Sequence, residues 1–202
     1  MSAAGFSPEF LAALRVLGSA MEEVAAAGLP RPVLVGGAAL QLWTTGRYVS
    51  GDFDLLAVDP APMEAALIAR GFRREDRRGR LLRGLYHPGL TMGVEFISGQ
   101  LFDGLADATR LRLVVGGPEA RITVIPVEDV IADRLDQYQA HPAGSRALLD
   151  QAGLAWSLAS DIDRAYLDRR IKAETAGTMD LRVFESMVAR EYTLLTQESE
   201  NP

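Results

Sequence analysis

The order of elements around one acidic pair constrains the fold of this chain more than any other feature of its sequence. A short apolar run typical of a buried strand ends at Gly36-Gly37, and a short helical segment follows. A second predicted strand comes next, and it contains Asp52 and Asp54. The strand, the helix and the acidic strand are predicted at 32–35, 38–44 and 48–58. This order predicts a mixed α/β core in the N-terminal part of the chain.

Asp52 and Asp54 lie two residues apart on the predicted strand, so their side chains project from the same face. Two carboxylates at this spacing repel each other unless a cation lies between them. Mg²⁺ is a cation that protein carboxylates and substrate phosphates commonly hold together. Glu95 lies in the apolar run 93–97, where a charged residue needs a partner or a metal. The candidate metal ligands are therefore Asp52, Asp54 and Glu95, and the third carboxylate would complete a two-metal arrangement for phosphoryl chemistry.

Each of these residues also has a simpler interpretation. The chain has 27 acidic residues, so an Asp-x-Asp pair by itself usually marks a solvated strand end. Glu95 can instead pair with one of the many arginines. Gly36-Gly37 allows backbone N–H groups to approach phosphate oxygens at a helix N-terminus, but a tight turn with positive φ needs the same residues. The order of the elements favours the functional interpretation over the simpler ones.

The rest of the sequence divides near residue 126. Ser7 and Pro8 predict the start of an N-terminal helix. Residues 72–97 predict two or three antiparallel strands, and 112–125 predict a further hairpin. Helical spacing then continues to the C-terminal end, in one segment from 127 and three near 144–158, 161–174 and 179–195. We predict an α+β fold with a core at 1–126, including the N-terminal helix, and a helical region at 127–202.

The segment from Val35 to Leu55 resembles the nucleotidyltransferase signature of the DNA polymerase β-like superfamily, which is a Gly-Gly turn, a helix and an Asp-x-Asp strand. It is most similar to the AbiEii-type toxin nucleotidyltransferases and their uncharacterised bacterial relatives. Ser50 stands where those proteins usually have threonine, and it keeps the hydroxyl. The segment 124–131, which includes Glu128 and Asp129, is similar to the one that opens their first C-terminal helix. The resemblance implies a nucleotidyltransferase-type mixed sheet with flanking helices, followed by a helical part.

The same resemblance implies an activity and its residues. The reaction is transfer of a nucleoside monophosphate from a nucleoside triphosphate to an acceptor hydroxyl, with RNA or tRNA as an acceptor, Mg²⁺ as the cofactor and an antitoxin as a protein partner. The implied nucleotide-binding residues are Gly36, Gly37, Arg47 and Ser50. The implied catalytic residues are Asp52, Asp54, Glu95, Arg134 and Asp150.

Arg134 departs from the pattern, because the AbiEii-type proteins have a lysine there and an aspartate on the next helix, where this chain has Asp150. An arginine still binds triphosphate, but it transfers protons less readily. A salt bridge with Asp133 or Glu128 is an equally good interpretation of Arg134. Two alternatives to RNA modification therefore stay open: a nucleotide- or partner-binding module that has lost catalysis, and an enzyme whose acceptor is a small molecule such as an antibiotic.

Composition adds an expectation about location. No apolar run approaches the roughly 20 residues of a membrane span, the first residues do not resemble a signal peptide, and cysteine is absent. We therefore expect a cytoplasmic protein without a membrane partner. The net charge of −6 argues against general binding of polyanions. The arginine-rich segment 70–83 is either a phosphate-contacting edge or, more simply, a solvated hairpin.

Overall fold

The computed structural model describes residues 5–75, 84–97, 101–117, 120–140 and 146–199, with side chains described as far as residue 190. The chain forms two compact units, Met1–Pro126 and Val127–Pro202. The sequence predicts a turn between the strands of 72–97 at Arg78-Gly79, and this turn lies outside the described residues.

The N-terminal unit is built on a mixed sheet of seven strands in the order β3-β4-β5-β2-β1-β7-β6. The strands are β1 (Val33–Val35), β2 (Asp52–Leu56), β3 (Arg73–Arg74), β4 (Gly84–Tyr86), β5 (Gly93–Ile97), β6 (Arg112–Gly117) and β7 (Ala120–Val124). The acidic strand β2 runs antiparallel to β1 and parallel to β5. The antiparallel pairing of β3 with β4 and of β4 with β5 confirms the prediction for residues 72–97. The mixed sheet and its flanking helices confirm the predicted α+β fold.

The α-helices in the described part of this unit are α1 (Pro8–Ala26), α2 (Gly36–Trp43) and α3 (Ala61–Ala69). Helices α1 and α2 pack on the sheet, and α3 packs against α1. Ser7 caps α1, because its Oγ accepts a hydrogen bond of 3.1 Å from the backbone N–H of Phe10. The apolar face of α1 is fully buried, and the helix contacts β6, β7 and α3. A Cβ on Gly18 would lie 2.9 Å from the carbonyl carbon of Ala120. The backbones of α1 and β7 therefore approach each other as closely as a glycine permits.

Two elements of the site differ from the sequence prediction. Helix α2 begins at Gly36 rather than Ala38, because Gly36 adopts φ +64° and turns the strand directly into the helix. The acidic strand begins at Asp52 rather than at residue 48. The residues before it form turns, and Thr44 at the end of α2 accepts a hydrogen bond of 3.2 Å on its Oγ1 from the N–H of Tyr48. This side-chain contact replaces the strand pairing expected from the apolar pattern.

The C-terminal unit consists of the helices α4 (Val127–Ala140), α5 (Arg146–Leu158), α6 (Arg164–Glu174) and α7 (Leu181–Ser199). Helix α4 packs against α5 and α6, and α6 contacts α7. Each of the helices predicted in this region is present, with shifted boundaries. Within the described parts of the chain, no helix combines the length and the apolar character that crossing a membrane requires.

Candidate metal and nucleotide site

Three carboxylates form a row across neighbouring strands of the N-terminal sheet. Asp54 on β2 lies opposite Glu95 on β5 and opposite Val35 on β1. Asp52 projects from the same face of β2, two residues earlier. Asp52, Asp54 and Glu95 are half-buried, and each offers a carboxylate oxygen within 4.8 Å of the others. The structure thus brings together all three residues that the sequence predicts as metal ligands, and we refer to them as the acidic row.

The alternation of apolar residues on both strands positions the acidic row. Phe53 and Leu55 on β2 are fully buried, and Val94 and Phe96 on β5 are buried on the same side of the sheet. The residues between them must therefore point to the opposite face. A shift of one residue in the register would bury the carboxylates and expose the aromatic rings, so burial of the core strongly fixes the position of the acids.

The acidic row has the chemistry and the spacing of a site for a hard divalent cation. Carboxylate oxygens are the ligands that Mg²⁺ prefers, at about 2.1 Å from the ion. Two oxygens on opposite sides of one Mg²⁺ are therefore about 4.2 Å apart. The 4.8 Å limit on the separations in the row is close to this value. The chemistry and the spacing of the three carboxylates therefore fit a divalent metal.

The two glycines before α2 are explained by close contact with the acidic strand. A Cβ on Gly36 would lie 2.1 Å from Oδ2 of Asp54, and a Cβ on Gly37 would lie 2.6 Å from Oγ of Ser50. Gly36 also has a positive φ, as the simpler turn interpretation expects. The first turn of α2 consequently lies directly beside the acidic row. Val35 at its N-cap has no side chain that can accept from the helix N–H groups.

Ser50 forms a hydrogen bond with the backbone of the acidic strand. It is 8% exposed, and its Oγ donates a hydrogen bond of 3.1 Å to the carbonyl oxygen of Asp52. Its N–H donates to Oε1 of Gln41 on α2 at 2.9 Å. Gln41 is buried and was not among the residues predicted from sequence; its only signal was a polar residue within an apolar helix. Arg47, predicted to bind nucleotide, lies exposed in the turn before Ser50.

Arg134 and Asp150 belong to the C-terminal unit. Arg134 on α4 is 8% exposed, and its Nη1 donates a hydrogen bond of 3.0 Å to Oε1 of Gln137. Its Nε lies 3.7 Å from Oδ2 of Asp133 on the same helix. Asp150 is exposed on α5. These contacts include the salt bridge that was the alternative interpretation of Arg134, and the catalytic roles of both residues stay predictions.

The Glu128-Asp129 pair joins two helices of the C-terminal unit. Oε1 of Glu128 accepts a hydrogen bond of 2.9 Å from the N–H of Asp163, just before α6. Asp129 is fully buried and accepts from Nε of Arg170 at 2.5 Å and from the hydroxyl of Tyr166 at 3.0 Å. Burial raises the pKa of Asp129, and the bonds from Arg170 and Tyr166 oppose that shift. The motif that resembles the AbiEii-type segment thus has a structural role here.

Two arginines of the 70–83 segment are engaged within the N-terminal unit. Nη1 of Arg70 donates to Oε2 of Glu23 at 2.7 Å, and its Nη2 donates to the carbonyl oxygen and hydroxyl of Ser19. Nε of Arg74 donates to Oε1 of the buried Glu64 at 2.6 Å. These contacts join α1, α3 and β3. The arginines at 77, 78, 80 and 83 lie outside the described residues.

No protein-family model and no curated protein sequence matches the chain. Similar solved structures include the crystal structure of ANT(2″)-Ia in complex with adenylyl-2″-tobramycin, with a TM-score of 0.53 and 15% identity over 84% of this chain and 98% of that chain. The solution structure of the antibiotic-resistance factor ANT(2″)-Ia has a TM-score of 0.50 and 13% identity over 94% of this chain and 98% of that chain. A third is an antigenic nucleotidyltransferase-like protein from Paracoccidioides brasiliensis, with a TM-score of 0.54 and 16% identity over 85% of this chain and 89% of that chain.

These structures define the class of fold, which is that of the nucleotidyltransferases. They confirm the fold that the resemblance of the sequence implies. At these identities the likeness concerns the fold alone, and it does not single out the AbiEii type.

Proposed function

We propose that the protein is a Mg²⁺-dependent nucleotidyltransferase that moves a nucleoside monophosphate from a nucleoside triphosphate to an acceptor hydroxyl. One observation carries the proposal: Asp52, Asp54 and Glu95 form the acidic row directly beside the first turn of α2. A cation site next to a helix N-terminus provides complementary groups for a triphosphate, because the metal and the N–H groups both favour negative charge. The nucleotidyltransferase fold supports the same assignment.

In this proposal the acidic row holds one or two Mg²⁺ ions. Mg²⁺ held there would lower the pKa of the acceptor hydroxyl and would stabilise negative charge on the phosphate and leaving-group oxygens. The backbone N–H groups of Gly36 and Gly37 bind phosphate oxygens, and Arg47 in the exposed turn contacts the triphosphate. Ser50 and Gln41 hold the start of β2, so that the first carboxylate of the row keeps its position.

The transfer is an in-line substitution at the α-phosphorus. The acceptor oxygen forms a bond to the α-phosphorus, and the bond from that atom to the oxygen bridging to the β-phosphate breaks. Pyrophosphate leaves, and the proton of the acceptor hydroxyl passes to water. Positioning and charge stabilisation account for most of the catalysis in such a reaction.

A nucleotide-binding module without turnover is the second candidate. Arg134 favours it, because this residue replaces the lysine of the AbiEii-type proteins and its guanidinium contacts Gln137 and Asp133 on its own helix. The resemblance to the AbiEii-type proteins also implies RNA or tRNA as the acceptor and an antitoxin as a protein partner. These finer assignments rest on the resemblance.

The test is incubation with Mg²⁺ and each α-labelled nucleoside triphosphate, with and without bulk tRNA, followed by detection of labelled product and pyrophosphate. We expect pyrophosphate release that requires Mg²⁺ and is abolished in Asp54→Asn. Glu9→Gln is a matched control, because Glu9 is an exposed carboxylate in the first turn of α1. Release that persists in Asp54→Asn would contradict the catalytic assignment. Binding of triphosphate in calorimetry without any product would favour the binding module.

A further inference from the structure

Strand β6 forms one edge of the N-terminal sheet, and among the described residues no strand pairs with its outer side. It has six residues, and its ladder with β7 is regular from Arg112 to Val115. An edge strand presents unpaired backbone N–H and C=O groups, with which another extended chain can pair. Short length and charge protect such an edge, as in β3 at the opposite side, which consists of two arginines. Strand β6 is longer and contains one charged residue, so it lacks both of these protections.

One face of β6 exposes two apolar side chains. Val114 and Gly116 face α1, since a Cβ on Gly116 would lie 3.5 Å from Cδ2 of Leu14 on that helix. Side chains alternate along a strand, so Leu113 and Val115 point to the other face of the sheet. Leu113 is 50% exposed and Val115 is 56% exposed. This face of β6 therefore offers apolar surface directly beside the outer backbone edge, and we refer to it as the apolar face.

The face of β6 that looks towards α1 has positive charge at both ends. Arg112 begins the strand, and its Nη1 donates a hydrogen bond of 3.2 Å to the carbonyl oxygen of Arg110. At the other end, a Cβ on Gly117 would lie 3.4 Å from Cγ of Arg15, an exposed residue of α1. Within the described parts of the chain, neither Arg112 nor Arg15 forms an ion pair with a carboxylate. Both guanidinium groups are therefore available to a negatively charged partner.

The two faces of β6 together determine which segment fits beside it. A strand added to this edge directs alternate side chains to the apolar face and to the face with the arginines. Apolar residues of the added strand would contact Leu113 and Val115. Carboxylates at the alternate positions would receive charge-assisted hydrogen bonds from Arg112 and Arg15. Backbone pairing gives such a complex its affinity, and the alternating side chains give it specificity.

A second copy of β6 fits this edge less well. Antiparallel pairing about a twofold axis at Val114 places Arg112 of one copy opposite Gly116 of the other copy. The next residue, Gly117, lies beside Arg15. Self-pairing therefore brings two arginines close together at each end of the strand, and like charges repel. The charges favour an acidic partner over a second copy of this chain.

We propose that the outer edge of β6 is a docking site for an extended segment of a partner protein in which apolar and acidic residues alternate. The segment adds a strand to the sheet by backbone hydrogen bonds. Its apolar side chains cover Leu113 and Val115, and its carboxylates bind Arg112 and Arg15. This inference goes beyond the proposed function, because it requires neither metal nor nucleotide at the acidic row.

The test measures binding of labelled synthetic peptides to the whole protein by fluorescence polarisation. The first peptide alternates valine and glutamate over the length of β6. A second has lysine in place of each glutamate, and a third has proline at both central positions. We expect the lysine peptide to bind about tenfold more weakly than the glutamate peptide, since each exposed ion pair changes affinity by up to about fivefold. The proline peptide should also bind more weakly, because proline donates no hydrogen bond to a strand. Equal affinity for the glutamate and lysine peptides would contradict the proposal.

Variants on the two faces test the assigned residues. Leu113→Glu places a negative charge on the apolar face and should abolish binding of the glutamate peptide, whereas Val58→Glu should leave it unchanged. Val58 is a matched control, because it is 93% exposed and lies beyond the end of β2. The double variant Arg15→Glu with Arg112→Glu should reverse the preference, so that the lysine peptide binds more tightly. Circular dichroism establishes that each variant is folded. Unchanged glutamate-peptide affinity in Leu113→Glu, or an unreversed preference in the double variant, would overturn the assignment.

Analytical ultracentrifugation tests the other occupant of this edge. A wild-type dimer that Leu113→Glu converts to a monomer would show that a second copy pairs with β6, and it would overturn the assignment of an acidic segment. Hydrogen exchange locates the bound peptide. Slower exchange of the backbone amides of 112–115 in the presence of the glutamate peptide would support the proposal, and slower exchange confined to other strands would contradict it.

Discussion

The carboxylate of Asp54 occupies the space that a side chain at Gly36 would need, since a Cβ there would lie 2.1 Å from its Oδ2. Gly36 also has φ +64°, a conformation that disfavours other residues. One glycine therefore permits both the turn into α2 and the position of an acidic side chain. This relationship links the backbone geometry of the turn to the proposed metal site.

Gly36→Ala tests this link. A left-handed alanine costs about 1 to 2 kcal/mol, and the new methyl group must also displace the Asp54 carboxylate. We expect lower stability in urea unfolding and a loss of Mn²⁺ affinity. Gly28→Ala is the matched control, because Gly28 has φ +77° and nothing lies within 4 Å of the position that its new methyl group would take. Equal Mn²⁺ affinity in the two variants would contradict the steric link.

Asp52→Asn tests the repulsion within the acidic row. Two unit charges 4.8 Å apart repel by about 1 kcal/mol in water. The variant should therefore unfold at a higher temperature than the wild type when no divalent cation is present. Mg²⁺ should raise the melting temperature of the wild type, because a ligand that binds only the folded state stabilises that state. Mg²⁺ should have little effect on the melting temperature of the variant. Equal Mg²⁺-dependent shifts in both proteins would argue against a metal at this row.

Gln41→Met tests the support behind the acidic strand. The change preserves volume and removes the acceptor for the buried N–H of Ser50, which costs about 1 to 3 kcal/mol. We expect lower stability and weaker Mn²⁺ binding, because Ser50 holds the carbonyl of Asp52. Gln151→Met is the control, since the buried Oε1 of Gln151 accepts no hydrogen bond from the described residues. A larger loss of stability in the control would count against the role of Gln41.

Glu22→Gln should reduce the loss of stability at acid pH. The hydrogen bond from Arg121, together with Arg31, lowers the pKa of Glu22 below its usual 4.5. A lowered pKa in the folded state contributes stability above the unfolded pKa, and this contribution disappears as the pH falls through the folded pKa. Urea unfolding at about pH 7 and about pH 3 should therefore show a smaller difference for the variant. An unchanged pH dependence in Glu22→Gln would refute the assignment.

Asp129→Ala tests the helical unit. Its buried partner Arg170 would be left without this carboxylate, and breaking a buried ion pair from one side costs about 3 to 5 kcal/mol. Lys172→Met breaks an exposed pair with Asp168 on the same helix as Arg170 and should cost about 1 kcal/mol or less. Chemical unfolding followed by circular dichroism compares the two. Similar losses of unfolding free energy in both variants would show that the buried Asp129–Arg170 pair contributes no more stability than the exposed pair.

The sequence predicts the acidic row because period-2 alternation is local information. Phe53 and Leu55 must be buried, so their neighbours Asp52 and Asp54 face the other way. Glu95 is a candidate from the sequence because it is a charged residue within an apolar run. Its pairing with Asp54 depends on the order of strands in the sheet, which local patterns do not contain. The helices after 127 were similarly evident from their 3.6-residue period.

Other parts of the site depend on contacts between residues distant in sequence. Gln41 reaches Ser50 with its side chain, and no pattern of apolar residues encodes that bond. The length of β2 before Asp52 was overestimated for the same reason, since side-chain bonds to the backbone compete with strand pairing there.

The order of strands has a consequence for how such a protein changes during evolution. Buried residues on β2 and β5, in the middle of the sheet, fix the positions of the carboxylates in the acidic row. Strands β3 and β4 form one edge of the sheet, next to β5. Mutations in β3 and β4 can therefore alter the surface beside the acidic row and leave the register of Asp54 and Glu95 intact. Selection acting on the edge of the sheet can reshape the surroundings of the acidic row without moving its carboxylates.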